Sequence, residues 1–383
     1  MQYIAHKDSD GTTQSVKEHL SGTADLAKSF AVNAFSNLAY NAGLLHDLGK
    51  YSSKFQRRIN GEDIRVEHAI SGAKEVELLY DKNKFFKQML KSCIAGHHSG
   101  LPDGGSDVDL PEKATLSGRM KRKAEDFSAY KEEIQPKDLN TDEVMTYFNN
   151  CLKTRNLKEA TELYAFMTKY LYSCLVDADF IDTEKFFEPN VQRGMKGDFK
   201  EALNLLNERL AKFSQDNEVR KGRSELQKQA LENSYKSGDI SILNMPTGSG
   251  KTLCSLKIAL EQAIRENKKR IIYIIPYTSI IEQTAETFEG IFGKVLPVLQ
   301  HHSNYSFEKE ESENTGTAEK LKRTCENWDS KLIISTSVQF FQSIYHYRSS
   351  RLRKLHNLAD SIIIFDEIHM IPIEHLQPCL RAI

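Results

Sequence analysis

Long apolar stretches are missing from this chain of 383 residues. Its longest unbroken apolar runs, such as Ile271–Ile275 and Ile362–Phe365, are five residues or fewer. Nothing that short spans a bilayer. The first twenty residues are polar and acidic, without the apolar centre of a signal peptide. Cysteine is sparse: six residues, at 93, 151, 174, 254, 325 and 379, make no CxxC pair. That argues against a disulfide framework or zinc ribbon and points to a reducing cytoplasm. An excess of either charge is also missing, with 52 basic against 53 acidic residues and a net charge of -1. A cationic coat for nucleic acid is excluded, though a local basic groove is not. What is present is 39% apolar and 27% charged, enough for more than one core and incompatible with disorder throughout. The length suggests roughly two to three domains.

Histidine is distributed unevenly. His6, His19, His46, His68, His97 and His98 all precede residue 99, and the next is His301. Surface scatter does not produce such a gap.

The first half carries apolar residues at spacings of three and four, which predicts helices over Ser15–Phe30, Leu38–Leu48, Glu67–Tyr80, Lys84–Ile94 and Leu157–Phe180. A Gly/Pro/Asp loop, Ser99–Asp109, precedes a basic run of Arg119, Lys121, Arg122 and Lys123 that reads as a solvated helix face. Near residue 240 the period changes. Short β-type runs at Ile240–Leu243, Arg270–Ile275, Val295–Leu299, Lys331–Ser335 and Ser361–Phe365 alternate with helical stretches. That alternation predicts a parallel α/β sheet behind an all-α domain. The charged Glu188–Gly222 segment holds the boundary, and Ser303–Ser330 reads as an exposed polar insertion.

Met245-Pro-Thr-Gly-Ser-Gly-Lys-Thr252 stands between a β-type run and an apolar helical stretch, the context a phosphate-binding loop needs. In Thr247, Gly248, Ser249 and Gly250 the glycines let backbone N–H groups turn toward phosphate oxygens. Lys251 brings a positive charge, Thr252 a hydroxyl for Mg²⁺, and the helix N-terminus its dipole. Ile362–Phe365 runs into Asp366-Glu367-Ile368-His369, a magnesium-side carboxylate with a water-orienting base beside it. The two motifs together resemble superfamily 2 helicases. That resemblance implies an adenine-reading role for Gln227. It also implies strand-contacting motifs at Pro276–Ser279 with Gln283, and at Ser335–Ser337 with Gln339.

His46-Asp47 and His97-His98 are adjacent pairs at predicted helix ends, and His19, His68 and Asp179 lie on predicted helices. Five imidazoles and two carboxylates favour Mn²⁺, Fe²⁺, Co²⁺, Ni²⁺ or Zn²⁺ over Mg²⁺. The order His, His-Asp, His, His-His, Asp is similar to the HD phosphohydrolase superfamily. The stretches EHLSGTADLAKSFA, GLLHDLGK, EHAISG, AGHHSGLPDGG and DADFIDTE, with helicase motifs behind them, resemble the HD nuclease–helicases of type I CRISPR systems.

The resemblance covers nearly the whole chain. It implies an HD-type nuclease domain over 1–212 and the first RecA-like domain of a helicase over 213–383, the sequence ending at Ile383 before a second. It further implies a site for two divalent transition-metal ions (Mn, Fe, Co or Ni). His19, His46, Asp47 and Asp179 would hold one, and Asp47, bridging, would hold the other with His68, His97 and His98. Asp177 is a rival for Asp179, and Lys50 a contact to the scissile phosphate. ATP and Mg are expected at the phosphate loop, and cleavage of single-stranded DNA in the cytoplasm. The implied partners are a Cascade-type CRISPR RNA–protein complex and a separate chain bearing the second RecA-like domain. Two other readings stand beside this one: an HD nucleotide phosphohydrolase, and a non-catalytic truncated fragment that binds Cascade.

Overall fold

The structure, a computed structural model, describes residues 2–153, 156–213, 217–236, 238–303 and 315–383. The chain forms two compact units. The first holds Met1–Gln192 and Gln342–Ala359, the second Arg193–Phe341 and Asp360–Ile383.

The first unit opens with a small antiparallel ribbon, β1 (Ile4–Lys7) against β2 (Thr13–Ser15). Helices follow: α1 (Val16–Phe30), α2 (Ser36–Leu45), α3 (Ser53–Ile59), α4 (Ala69–Leu79), α5 (Lys84–Gly96), α6 (Leu116–Met120), α7 (Asp142–Leu152) and α8 (Leu157–Phe187). Ser15 starts α1 by accepting from the Glu18 backbone N–H while Glu18 reaches back to the Ser15 N–H. The buried face of α1 is Val16, His19, Leu20, Thr23, Ala24 and Ala27, the stripe a helical period dictates. His19 therefore points into the core rather than to water. Asn156 and Glu159 cap α8 in the same reciprocal way. At 31 residues α8 is about 46 Å long, and it packs along α1, α2 and α5.

In the second unit α9 (Phe199–Ala211), α10 (Glu218–Ser234) and α11 (Lys251–Arg265) precede β3 (Arg270–Ile275), α12 (Thr278–Phe292) and β4 (Val298–His301). Then come α13 (Thr315–Asn327), β5 (Leu332–Thr336) and α14 (Ser337–Tyr345), whose last four residues belong to the first unit. The four strands lie parallel in the order β4-β5-β3-β6, where β6 is Ser361–Phe365. Ile271, Tyr273 and Ile275 face one side of the sheet with Leu332 and Ile334. There they meet Ile281, Ala285, Phe288 and Phe292 of α12 and Leu256, Ala259 and Leu260 of α11. Phe199, Ala202 and Leu206 of α9 join this core.

Between these strands the chain returns to the first unit. Residues 342–359, with the short helix α15 (Ser349–Leu352), pack on α8. The chain closes with α16 (Ile373–Ala382). No helix among the described residues is long and apolar enough to cross a membrane.

Three sequence expectations need correcting. Ile240–Leu243 is not a strand; Ile240 and Ile242 are 72% and 93% exposed, with no sheet neighbour to cover them. The strand expected over Val295–Leu299 starts instead at Val298, because Pro297 has no N–H for the ladder. Of the expected insertion, 304–314 lies outside the described residues. Of the remainder, α13 buries Ala318 and Thr324, and Trp328 behind it is fully buried, so this part is packed rather than an exposed insertion.

Candidate metal centre and nucleotide loop

Five elements converge in the first unit. His19 comes from the buried face of α1, and His46-Asp47 follows the end of α2. His68 is the residue before α4, His97-His98 follows α5, and Asp179 lies on α8. Gly49 has no Cβ to spare, since one would lie 2.4 Å from the His68 carbonyl oxygen, so only glycine brings the two segments this close. Ligand atoms of all seven residues fall into overlapping groups within 4.8 Å: His19, His46 and Asp179; His46, Asp47 and His97; Asp47, His68 and His98; His97, His98 and Asp179.

The two oxygens of Asp47 divide its neighbours. Oδ2 lies 3.7 Å from His19 Nε2 and 3.6 Å from His46 Nε2; Oδ1 lies 3.6 Å from His68, 3.1 Å from His97 and 3.9 Å from His98. Asp179 Oδ1 is 3.5 Å from His19 Nε2 and 3.4 Å from His46 Nε2.

Ring orientation is set from behind. His46 Nδ1 donates to the Gly43 carbonyl and His97 Nδ1 to the Ile94 carbonyl, each at 2.7 Å. His19 Nδ1 donates to Asp182 Oδ2 at 2.8 Å, and Gln14 donates to the same oxygen. With Nδ1 protonated, each Nε2 presents a lone pair inward. His19 Nε2, His46 Nε2 and Asp47 Oδ1 are buried without a hydrogen-bond partner. Lone pairs facing a carboxylate in a buried site repel unless a cation lies among them. This donor set fits divalent transition metals, which take imidazole nitrogen with carboxylate oxygen.

Burial pushes the Asp47 carboxyl up, but Lys50, His46, His68 and His97 outweigh it and hold it well below the usual carboxylate range. Asp179 is likewise lowered, burial being overcome chiefly by His46 and then His19. Burial pulls His46 down, yet Asp47 and Asp179 leave it raised. Lys50, nearly buried, places Nζ 2.9 Å from Asp47 Oδ2 and 3.1 Å from His6 Nε2.

Asp177, the rival for Asp179, faces the other way. Wholly buried, it accepts from Arg353 Nε at 2.8 Å.

Several residues around the centre were not legible in the motif pattern. Gln14 behind His19 and His6 beside Lys50 sit in no motif, and Asp182 lies inside the DADFIDTE stretch without having been singled out. Their only signal is spacing: Asp182 lies three residues after Asp179, on the same side of the helix. Arg119 and Arg122 correct the solvated-face reading. Arg119 Nη1 donates to the Ala95 carbonyl and Ser99 Oγ, bracketing His97-His98, and Arg122 pairs with Glu67 beside His68.

In the second unit Gly250 takes φ +84° as the N-cap of α11, a left-handed conformation that glycine adopts without strain. Gln227 Nε2 donates to the Ser249 carbonyl at 2.9 Å, so the expected adenine reader does lie against the loop that holds Thr247 and Gly248. Lys251 Nζ, at the start of α11 with Thr252, is 3.7 Å from Glu367 Oε1. Burial first, then Glu367, raises the Asp366 carboxyl. Glu367 has φ +49°, uncommon for a residue with a side chain. Asp366 and the 276–279 motif follow C-terminal strand ends, and the 335–337 motif spans the C-terminal end of β5, where open α/β sheets bind ligands.

Residues 16–135 match the HD domain family and residues 224–383 match the DEAD/DEAH box helicase family. The chain is 24% identical over 405 aligned residues to the CRISPR-associated nuclease/helicase Cas3 of Haloferax volcanii, covering 89% of this chain and 43% of that protein. In fold it resembles T. fusca Cas3 bound to AMPPNP, with a TM-score of 0.60 at 12% identity over 97% of this chain and 47% of that one. The ATP-bound form gives 0.58 at 14% identity, with 97% and 46% covered. The chain thus spans less than half the length of these relatives. An HD domain implies metal binding and a DEAD-box domain nucleotide binding. The chain joins an HD domain to a DEAD/DEAH box helicase domain in that order, and over 89% of its length it is similar to a CRISPR-associated nuclease/helicase.

Proposed function

We propose that the chain is a metal-dependent nuclease that cuts single-stranded DNA, joined to the first RecA-like half of an ATP-driven helicase, in CRISPR defence. The observation that carries this reading is the convergence of the seven ligand groups, with the His19 and His46 Nε2 atoms buried and unsatisfied. His19, His46, Asp47 and Asp179 would hold one ion, and Asp47, His68, His97 and His98 a second. Mn²⁺, Fe²⁺, Co²⁺ and Ni²⁺ are the ions that suit the set. Divalent metal held there would supply Lewis-acid polarisation of a phosphodiester and a nucleophile at neutral pH. The chain's own part is to hold the donors in place from behind, through Gly43, Ile94 and Asp182. Lys50 keeps a cation beside Asp47, where an incoming phosphate would meet it. Lys251, Thr252, Asp366 and Glu367 form one wall of an ATP–Mg site, with Gln227 reading adenine and a second RecA-like domain facing it. The HD domain is proposed over 1–192 with 342–359, rather than over 1–212, because α9 packs in the core of the second unit; the RecA-like domain then takes 193–341 and 360–383. A Cascade-type complex is the proposed recruiter, in the cytoplasm.

The test is nicking of circular single-stranded DNA by the full chain with Mn²⁺, Co²⁺ or Ni²⁺, stopped by EDTA, with dNTPs assayed in parallel. Robust activity of Asp47→Ala sinks the site. Turnover of dNTPs alone moves the reading to a nucleotide phosphohydrolase, and metal binding without any hydrolysis moves it to a binding fragment.

A further inference from the structure

Next to the histidine cluster lies a surface that the motifs do not explain. The segment 342–359 brings Tyr345, His346, Tyr347 and Arg348 to it. Tyr345 and Tyr347 are 47% and 51% exposed. The His346 and Tyr347 rings stack at 13° with centroids 5.1 Å apart. Lys169 Nζ of α8 lies 5.6 Å over the Tyr345 ring, and the Arg348 guanidinium 5.8 Å from that of Tyr347. The charged groups acting on His346 are all cations: Arg348, Arg351 and Lys169. Burial first, then those cations, holds its imidazole below the ordinary range, so it is neutral at pH 7 and offers a flat face.

This patch joins the candidate metal centre through the loop that carries two of its ligands. The Tyr347 carbonyl accepts from Leu101 N at 2.9 Å. A Cβ on Gly100 would lie 2.9 Å from Tyr347 Cδ2, so the ring rests on the turn that follows His97-His98. Along α8, Lys169 precedes Asp179 by ten residues, which is about 15 Å of rise.

We infer that Tyr345, His346 and Tyr347, ringed by Lys169, Arg348 and Arg351, form a stacking platform that holds single-stranded DNA beside the phosphodiester to be cut. Exposed aromatic faces take any base, and the cations face the backbone; together they bind single strands without reading sequence. A protein partner is the poorer fit, because cations crowded around flat rings match the charge and faces of a polynucleotide. The inference rests on the nuclease reading for its substrate, but the platform is testable without cleavage.

The full chain is titrated in EDTA with a fluorescein-labelled oligo-dT 20-mer and followed by anisotropy. Tyr347→Ala and Tyr345→Ala are expected to weaken binding about 5–100-fold each, and Tyr347→Phe to restore it. The Leu101 hydrogen bond uses the Tyr347 carbonyl and survives these changes; circular dichroism melts check the fold. With metal, the Tyr347→Ala penalty should fall on KM and be larger for the 20-mer than for a dinucleotide too short to reach the patch. Wild-type affinity in both alanine variants, or no binding by the wild-type chain, overturns the platform. If the wild-type chain binds the 20-mer and the variants do not, yet nothing is cleaved, the platform stands and the nuclease reading falls.

Discussion

Asp177 and Asp179 are two residues apart on one helix and serve different neighbours. Asp179 faces His19 and His46 at 3.5 and 3.4 Å, whereas Asp177 receives the Arg353 guanidinium at 2.8 Å. Variants that disrupt the two aspartates' contacts should therefore fail in different ways. Asp179→Asn is expected to lower metal-dependent cleavage by more than about 100-fold, beyond what loss of an outer partner costs. Arg353→Met, which strips the charge partner from wholly buried Asp177, should cost about 3–5 kcal/mol of stability in the first unit. Denaturant melts and cleavage rates, measured side by side, separate the two. Equal activity loss in both variants without destabilisation of Arg353→Met would contradict the assignment.

Asp182 acts through His19. Because its Oδ2 fixes the Nδ1 proton of that ring, Asp182→Asn is expected to weaken metal affinity about 10–100-fold. Isothermal titration with Mn²⁺ reads this directly, and saturating metal should recover much of the cleavage rate.

Lys251→Ala should abolish binding of a fluorescent ATP analogue while cleavage of single-stranded DNA in the absence of ATP continues. The lysine starts α11 next to the phosphate loop, in a different compact unit from the seven metal-ligand candidates. Loss of ATP-independent cleavage in this variant would refute the separation of the two chemistries.

His6 supplies a pH dependence. Burial first, then Lys50 and His19, lowers its pKa to about 4 from the ordinary 6.5. The folded state therefore prefers it neutral, and the unfolded chain binds the extra proton between those values. Its contribution is complete above pH 6.5 and declines as pH falls toward 4, on the order of 2–3 kcal/mol in all. Melts in EDTA from pH 7.5 to 5 should fall less steeply for His6→Gln than for the wild-type chain.

Much of the molecule could be read from spacing. The helices around the centre fall where apolar periodicity puts them, because their inner faces, such as Val16–Leu20–Ala24–Ala27 on α1, pack on one core. All seven candidate ligands converge. What spacing could not supply was pairing across long separations. Asp182 behind His19 and Arg353 beneath Asp177 are 163 and 176 residues from their partners, so no local pattern announces them. Ile240–Leu243 failed as a strand for the opposite reason: its β-type composition is local, and a strand needs a neighbour.

The excursion of 342–359 into the first unit governs the order in which the protein can be made. As the nascent chain leaves the ribosome, α8 emerges complete with Asp177, but the guanidinium that neutralises it is encoded 176 residues later. At translation rates of about 5–20 residues per second, the interval is roughly 10–35 s. Throughout it the first unit carries an uncompensated acid in its interior, and it reaches its final form only after most of the second unit has been synthesised.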